Sequence, residues 1–492
     1  MRRLCFVVVV VLISFGCAAE PEIETLRMAY PHELVTLDPQ AHSDTVTRTV
    51  LSAVYESLVF FEPGLPVRAG LADRWTTPDN HTWHLHIREG VRFHDGRLLT
   101  PADAVASINR ARSNLVCGHQ LDEISEVREL PGEDRIIEIK TGAPAPLLLT
   151  RLESVPVVPI DFDPQFPVGT GPYQWQVGSV EGPITLARWD GYWAEEAAYP
   201  EVSIQFVQYQ EDVEILLHKG KLDVVASVPY SFVRDHLQIE NWRVIASPAV
   251  AITYLGLNSS VPQLADIRVR QAISLAIDRP HLVRSIFPEG AARPAYSLVP
   301  PEVFGYSPDH RGAKVDLDAA RRLLAEAGYR PGEPPKLAFT ERNALVAEHL
   351  LSDLKAIGLD VEGESLPYQA FYRRIEDSSH DLFVFTWTFR VADASKFLEA
   401  FVRTRDPVRG LGTLNGADLS DAEIDALIES AVTEPQSSLR LEKLQRAVLR
   451  VSERYVYIPL FRPSNLALVR DGVEASTQGL PMLRPQDFRP AR

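Results

Sequence analysis

Trp83-His84-Leu85-His86-Ile87-Arg88-Glu89-Gly90-Val91-Arg92-Phe93-His94-Asp95-Gly96 leads, two residues on, into Leu99-Thr100-Pro101-Ala102-Asp103. Trp83, Leu85 and Ile87 alternate with His84 and His86, and Val91 and Phe93 repeat the pattern. A period of two predicts small antiparallel strands, to which Trp75 also belongs, and Asp95-Gly96 is a turn signal. Thr100 then offers a cap, Pro101 suits the first helical turn, and Asp103 stands where a capping box wants an acid. Val105, Ile108 and Ala111 carry that helix onward.

Outward from this stretch, strands and helices keep alternating. Leu26-Arg27-Met28-Ala29 predicts a first strand, and Val46, Val50, Leu51, Val54 and Leu58 predict a helix over Thr45 to Leu58. Gly169-Thr170-Gly171-Pro172-Tyr173 predicts a tight turn with two flexible glycines before a strand. Leu216 to Val225 reads as helix, turn at Gly220, and strand. Tyr254 to Asn258 is a strand, followed by a helix over Arg268 to Asp278 and another over Leu317 to Gly328, ended by its glycine. Leu382-Phe383-Val384-Phe385 is a short apolar strand. Tyr455-Val456-Tyr457-Ile458 is a late one, closed by Pro459. The pattern recurs on both sides of residue 255 and predicts two α/β lobes, with ligands of such layouts sitting in the cleft between them.

The chain has 492 residues, 37 prolines scattered along it, and a formal charge of −16. Arg2 and Arg3 precede a mostly apolar run from Leu4 to Phe15, and small residues flank Cys17. This is the layout of an export signal, too short for the roughly 20 apolar residues of a spanning helix. Loss of residues 1–16 removes two arginines and no acid, which takes the mature charge to −18. No basic stretch alternates with aromatics, so no nucleic-acid partner is expected. Cys5 leaves with the signal and Cys117 then stands as an idle thiol, so the fold must rest on its core; about 475 residues predict two to three domains.

Several blocks, taken in order, resemble one family. They are Leu37-Asp38-Pro39, Val54-Tyr55-Glu56-Ser57-Leu58, Leu71-Ala72-Asp73-Arg74-Trp75, the opening stretch, Gly169-Thr170-Gly171-Pro172-Tyr173, Leu257-Asn258 through Arg270-Gln271-Ala272 to Ala276-Ile277-Asp278, Ala325-Glu326-Ala327-Gly328-Tyr329 and Phe385-Thr386-Trp387. The chain is similar to the extracellular solute-binding proteins of peptide-type ABC importers. The resemblance implies a two-lobed periplasmic-binding-protein fold with an extra small subdomain. Lobe I would take residues 22–62, 166–254 and 462–492, the small subdomain 63–165, and lobe II 255–461, after an export signal at 1–17. Gly16-Cys17-Ala18 resembles a lipoprotein junction, with Ser14 where such signals favour Leu, so Cys17 is expected to be acylated. Simple cleavage after Ala18 or Ala19 is the alternative. The protein is expected at the periplasm or cell surface, membrane-anchored through that lipid, as a monomer with no cofactor, serving an ABC permease and its ATPase. The two lobes would close on the solute by hinge motion.

The resemblance also implies a site. An extended ligand pairs its backbone with His42, Ser43, Asp44 and Thr45 on one side and with Thr386, Trp387 and Thr388 on the other, which tolerates many side chains. Peptide binders of the family hold the ligand's amine on an aspartate three residues after that tryptophan. Here the position is Arg390, which suits a carboxylate or phosphate. Asp393 is a shifted counterpart of that aspartate, or a partner of Arg390. Tyr254 is carried as a further ligand residue; it, Trp175, Trp193, Tyr368 and Trp387 stand open between cleft and core, with core the expectation for most and cleft for Trp387.

Other chemistries find little support. His86 and His94 coincide with histidines of the family blocks, so scaffold contacts are expected of them rather than a metal. His32-Glu33 has Thr36 where a zinc-protease helix needs its second histidine, and no Gly-x-Ser-x-Gly elbow occurs. Glu195-Glu196 reads as solvated surface. The expected function is solute capture for import, with a non-peptide solute (anionic, sugar or metal chelate), a sensing role, or a secreted hydrolase as the alternatives.

Overall fold

The computed structural model describes residues 24–42, 44–60, 67–79, 81–114, 121–236, 239–308, 312, 314–330, 332–389, 391–434, 436–476 and 482–491. The export segment with Cys17, and also Ser43, Cys117 and Arg390, lie outside the described residues.

One strand, Tyr457–Arg470, organises the molecule. Its second part, residues 464–470, pairs antiparallel with Trp242–Pro248, and part of it with Val224–Val228. Its first part, residues 457–461, pairs with Ala251–Leu257, and residues 461–463 pair with Ala292–Pro294. A twelve-stranded sheet results. On one side it continues through Thr25–Tyr30, Glu201–Phe206, Ile184–Arg188 and Tyr173–Val177; on the other, through Leu382–Thr388, Lys336–Phe339 and Glu362–Ser365. The expected stop at Pro459 does not occur. A register shift between Thr253 and Tyr254 absorbs the irregularity opposite Pro459, and the strand runs on.

Each half has its own cores. Ala251–Leu257 is buried on both faces: Ile252 and Tyr254 enter one cluster with Phe383, Phe385, Phe397 and Phe401, while Leu255 and Leu257 enter another with Leu382, Val384 and Ile273. This two-faced burial is why the segment reads as a continuous apolar run. The other half packs Leu26, Met28, Val50, Tyr173 and Ile204 around its sheet.

The opening stretch of the sequence builds a separate four-stranded antiparallel sheet, ordered Ala72–Thr76, Thr82–Ile87, Ile136–Thr141, Ile124–Glu129. Helix Pro101–Arg112 packs on it, capped as expected: Thr100 Oγ1 accepts from Asp103 N, and Asp103 accepts from Thr100 N at 2.9 Å. Val91–Phe93 forms no strand, only a bridge between Arg92 and Leu98.

The helix expected over Thr45 to Leu58 ends at Leu51. The cause lies in the glycine block. Gly171 N donates to the Val54 carbonyl at 2.9 Å and Tyr173 N to that of Ala53 at 3.0 Å. These glycines serve close approach rather than flexibility. A Cβ at Gly169 would stand 2.0 Å from the Val54 oxygen, and one at Gly171 2.5 Å from that of Ala53. No helix among the described residues is long and apolar enough to cross a membrane.

Candidate ligand-binding site

The segment after Leu37-Asp38-Pro39 is held from behind. Asp38 accepts from Gln40 N at 3.0 Å and from Arg110 of the capped helix, whose Nη1 lies 3.0 Å from Oδ1. Gln40, fully buried, donates its side-chain amide to the carbonyls of Ser107 and Pro156. Asp44 then caps helix Thr45–Leu51, accepting from Thr47 N at 2.7 Å. Burial opposes ionisation of Asp44, but the hydrogen bonds from Thr47 and the proximity of His32 and His42 hold its carboxyl below the ordinary value. Thr45 is exposed on the first turn. His42 is only 5 % exposed, its Nδ1 has no hydrogen-bond partner, and burial, with Arg48 adding to it, keeps its pKa below the ordinary value.

The second edge is strand Leu382–Thr388. It pairs along its full length with Ala251–Leu257, but on the opposite side only Leu382 and Phe383 meet Leu337 and Ala338. Among the described residues no strand pairs with 384–388 on that side. Thr386 and Thr388 are exposed there; Thr386 Oγ1 shares a hydrogen bond with Thr253 Oγ1 at 2.8 Å. Trp387 is half-buried against Phe389, Phe397 and Phe401, and its Nε1 is buried without a partner. An unpaired indole donor beside a strand edge left unpaired among the described residues can chemically accept an added extended segment.

Two candidates sit elsewhere. Tyr254 is fully buried, ringed by Phe383, Phe385, Phe397, Phe401 and Tyr457 at 5.3–6.1 Å, so it belongs to the core rather than the cleft. Asp393 is buried, and Arg440 takes both its oxygens at 2.5 and 3.0 Å while Ser395 donates to it through N and Oγ. Among the described residues Arg440 is the cation that meets it, and Arg390 lies outside them. With both oxygens engaged and 3 % exposure, Asp393 is placed as an internal anchor and helix cap instead of an amine receptor.

The blocks around residues 54–58, 73–94 and 169–173 hold one another in the scaffold. Glu56 accepts from Thr170 Oγ1, Tyr192 Oη and Trp193 Nε1, each at 2.9 Å, tying the block 54–58 to the glycine turn. His86 meets Asp73 at 2.8 Å and His84 meets Glu138 at 3.1 Å. His94 Nε2 lies 3.0 Å from the Gly171 carbonyl, and burial pushes its pKa down to about 4. These are the contacts expected of scaffold histidines. Glu196 pairs with Arg188 at 2.8 Å on the surface.

Sequence reasoning missed a small cavity of about 70 Å³ beside His42, with polar and apolar side chains mixed in its wall. It is lined by Arg48, Ser52, Tyr55, Ser57 and Glu153 among others. Glu153, Ser154 and Pro156 join a wall otherwise drawn from residues 39–57, and no local pattern signals that long-range approach.

The sheet and the separate cores of its two halves give a two-lobed α/β protein. Residues 66–407, well over half of the chain, match the family model of bacterial extracellular solute-binding proteins, family 5 Middle, and the chain belongs to that family. It is 23 % identical over 433 residues to the dipeptide-binding protein of Escherichia coli, covering 78 % of this chain and 80 % of that one. It is 24 % identical to the glutathione-binding protein GsiB of the same organism, over 86 % of each chain. Among solved structures it resembles the unliganded open form of the murein tripeptide-binding protein MppA (TM-score 0.82, 19 % identity, 95 % of this chain and 97 % of that one). It also resembles DppA from Helicobacter pylori in complex with peptide STSA (TM-score 0.72, 22 % identity, 95 % and 98 %).

Proposed function

We propose that this protein captures a peptide or peptide-like solute between its lobes and delivers it to an ABC permease, with recognition and no turnover. The single observation that supports this most is the side of residues 384–388 that no strand among the described residues pairs, with Thr386 and Thr388 exposed and the Trp387 N–H unpartnered among them. Main-chain pairing there gives affinity without demanding one side chain. His42, Ser43, Asp44, Thr45 and Arg390 complete the proposed site; the lobe boundaries are proposed near residues 248–251 and 461–464, where the pairing partners of the long strand change. Cys17 is proposed to be acylated and to hold the mature chain at a membrane surface.

Mass spectrometry of the solute released from purified protein tests the reading. Short peptides or amide-linked relatives are expected, unchanged after incubation. A sugar or a bare metal chelate, or a hydrolysed product, defeats it. One observation favours a non-peptide solute as the second reading. Arg390 replaces the amine-binding aspartate implied by the family resemblance, and the nearby Asp393 is already engaged.

A further inference from the structure

Among the described residues, Tyr230 and Phe287 are shared between cores of different halves. Each packs against the core of Leu255, Leu257 and Ile273 in one half and against that of Val225, Phe232 and Leu466 in the other. The Phe287 ring lies 5.1 Å from Tyr230, edge to face, and 4.8 Å from Phe461, tilted. Tyr230 opens helix Tyr230–His236, just after strand Val224–Val228. Phe461 belongs to the strand that serves both halves, where its pairing partners change. Phe287 follows helix Arg279–Ile286 of the opposite half.

The chain around this ring is held on both sides. Phe287 N donates to the Val283 carbonyl at 3.0 Å, which ties it to its helix. Ala291 N donates to the Pro288 carbonyl at 3.0 Å and closes a turn in which Gly290 takes a left-handed φ of +82°. A Cβ at Gly290 would meet that of Ala246 at 3.4 Å, and Ala291 is buried in the core of Leu466 and Leu468. Ser464 N donates to the Ala291 carbonyl at 2.8 Å, and Ala292–Pro294 then pairs with residues 461–463. Residues 287–291, expected within lobe II, are therefore packed onto the other half. Beside the two places where the backbone crosses, this is a third connection, made by packing alone.

Atoms move in proportion to their distance from a rotation axis. A contact at the crossing thus persists while remote parts of the lobes travel far. Kept in every orientation, it favours neither open nor closed, but it narrows the orientations that the free chain visits. Apparent affinity falls with the fraction of free chain that is competent to bind. We propose that Phe287, held between Tyr230 and Phe461, is a positioning residue for solute binding. It confines the lobes to one closing path and so sets affinity from outside the proposed ligand edges at 42–45 and 386–388. The inference rests on the binding reading, and its first measurement needs no solute.

The test places spin labels at Glu195→Cys and Glu348→Cys, exposed positions in different halves, in a full mature chain carrying Cys117→Ser. The distance distribution between them is recorded without solute. Phe287→Ala should broaden it, and Phe287→Tyr, which keeps the ring, should restore it. Affinity for the solute identified by mass spectrometry should fall about threefold to tenfold in Phe287→Ala, the range of one aromatic pair. Tyr230→Ala should add little to that loss in the double variant. A distribution of unchanged width, tighter binding in Phe287→Ala, or fully additive losses overturns the proposal. Should Phe287→Ala fail to fold, Tyr230→Ala decides in its place, with Tyr230→Phe as the rescue. A chain that binds its solute equally well in all variants keeps the import reading and loses this one. A chain that turns its solute over loses the import reading, while the distance measurement still decides here.

Discussion

Asp393 stands three residues from Arg390, yet Arg440, 47 positions further on, meets its charge. Breaking such a pair strands a buried ion. Asp393→Asn and Arg440→Met should each cost about 3–5 kcal/mol in urea unfolding, and the double variant distinctly less than the sum. Single costs near zero would refute the anchoring role. Trp387→Phe keeps the ring and removes the unpartnered N–H. Affinity for the released solute should drop severalfold to tenfold with unfolding unaltered, since the N–H is expected to find its partner only in the ligand. Glu56 makes a pH prediction. Burial pushes its carboxyl from 4.5 up to about 7, against the hydrogen bonds of Trp193, Tyr192 and Thr170. The folded chain therefore holds that proton more tightly than the unfolded chain. Stability falls as pH rises from about 4.5 through about 7, by about 3 kcal/mol in full. Glu56→Gln should flatten that part of the stability–pH curve, with Tyr192 turning its hydroxyl to accept; an unaltered curve would refute the assignment. At this scale the sequence showed which residues matter to the blocks but not what they touch. Asp393 read as a ligand group because Arg440 is remote, and Tyr254 read as a cleft ring because a tyrosine in an apolar strand looks the same in a wall and in a core.

Elements were legible where the signal is local. The capping box at Thr100 and Asp103 formed as the spacing demanded, and Thr100→Ala should cost about 1 kcal/mol in thermal unfolding. They were hidden where tertiary contacts intervene. The apolar spacing of 46, 50, 51, 54 and 58 continues past the helix because Val54 and Leu58 face cores outside it. The carbonyls of Ala53 and Val54 bond to the glycine turn instead of to a further helical turn. Gly169→Ala tests this docking: its Cβ would collide with the Val54 oxygen, and a loss of about 1–3 kcal/mol or more is expected in the same assay. The strand Tyr457–Arg470 reads as cut short in the sequence because Pro459 is a strong breaker, and Pro463 follows within the same strand. They are accommodated at irregular positions, opposite a register shift and beside the short Ala292–Pro294 ladder.

On the scale of the whole molecule, the two-lobed class was legible from the order of the blocks, while the strand that serves both halves was not. The changeover of its partners between residues 461 and 464 lies beside the other crossing at 248–251. Rotation about these crossings would leave the strand pairing on either side of them in place, and small-angle scattering should record a smaller radius of gyration once the solute identified by mass spectrometry is added. A radius that stays constant under saturating solute would contradict closure. The same strand also dictates the timetable of folding. Residues 457–470 pair with strands far earlier in the chain, at 224–228, 242–248 and 251–257, and each half lacks an inner strand until those contacts close. Both halves are thus completed only through contacts of long sequence separation, the kind whose loop-closure entropy must be met before the pairing rewards it.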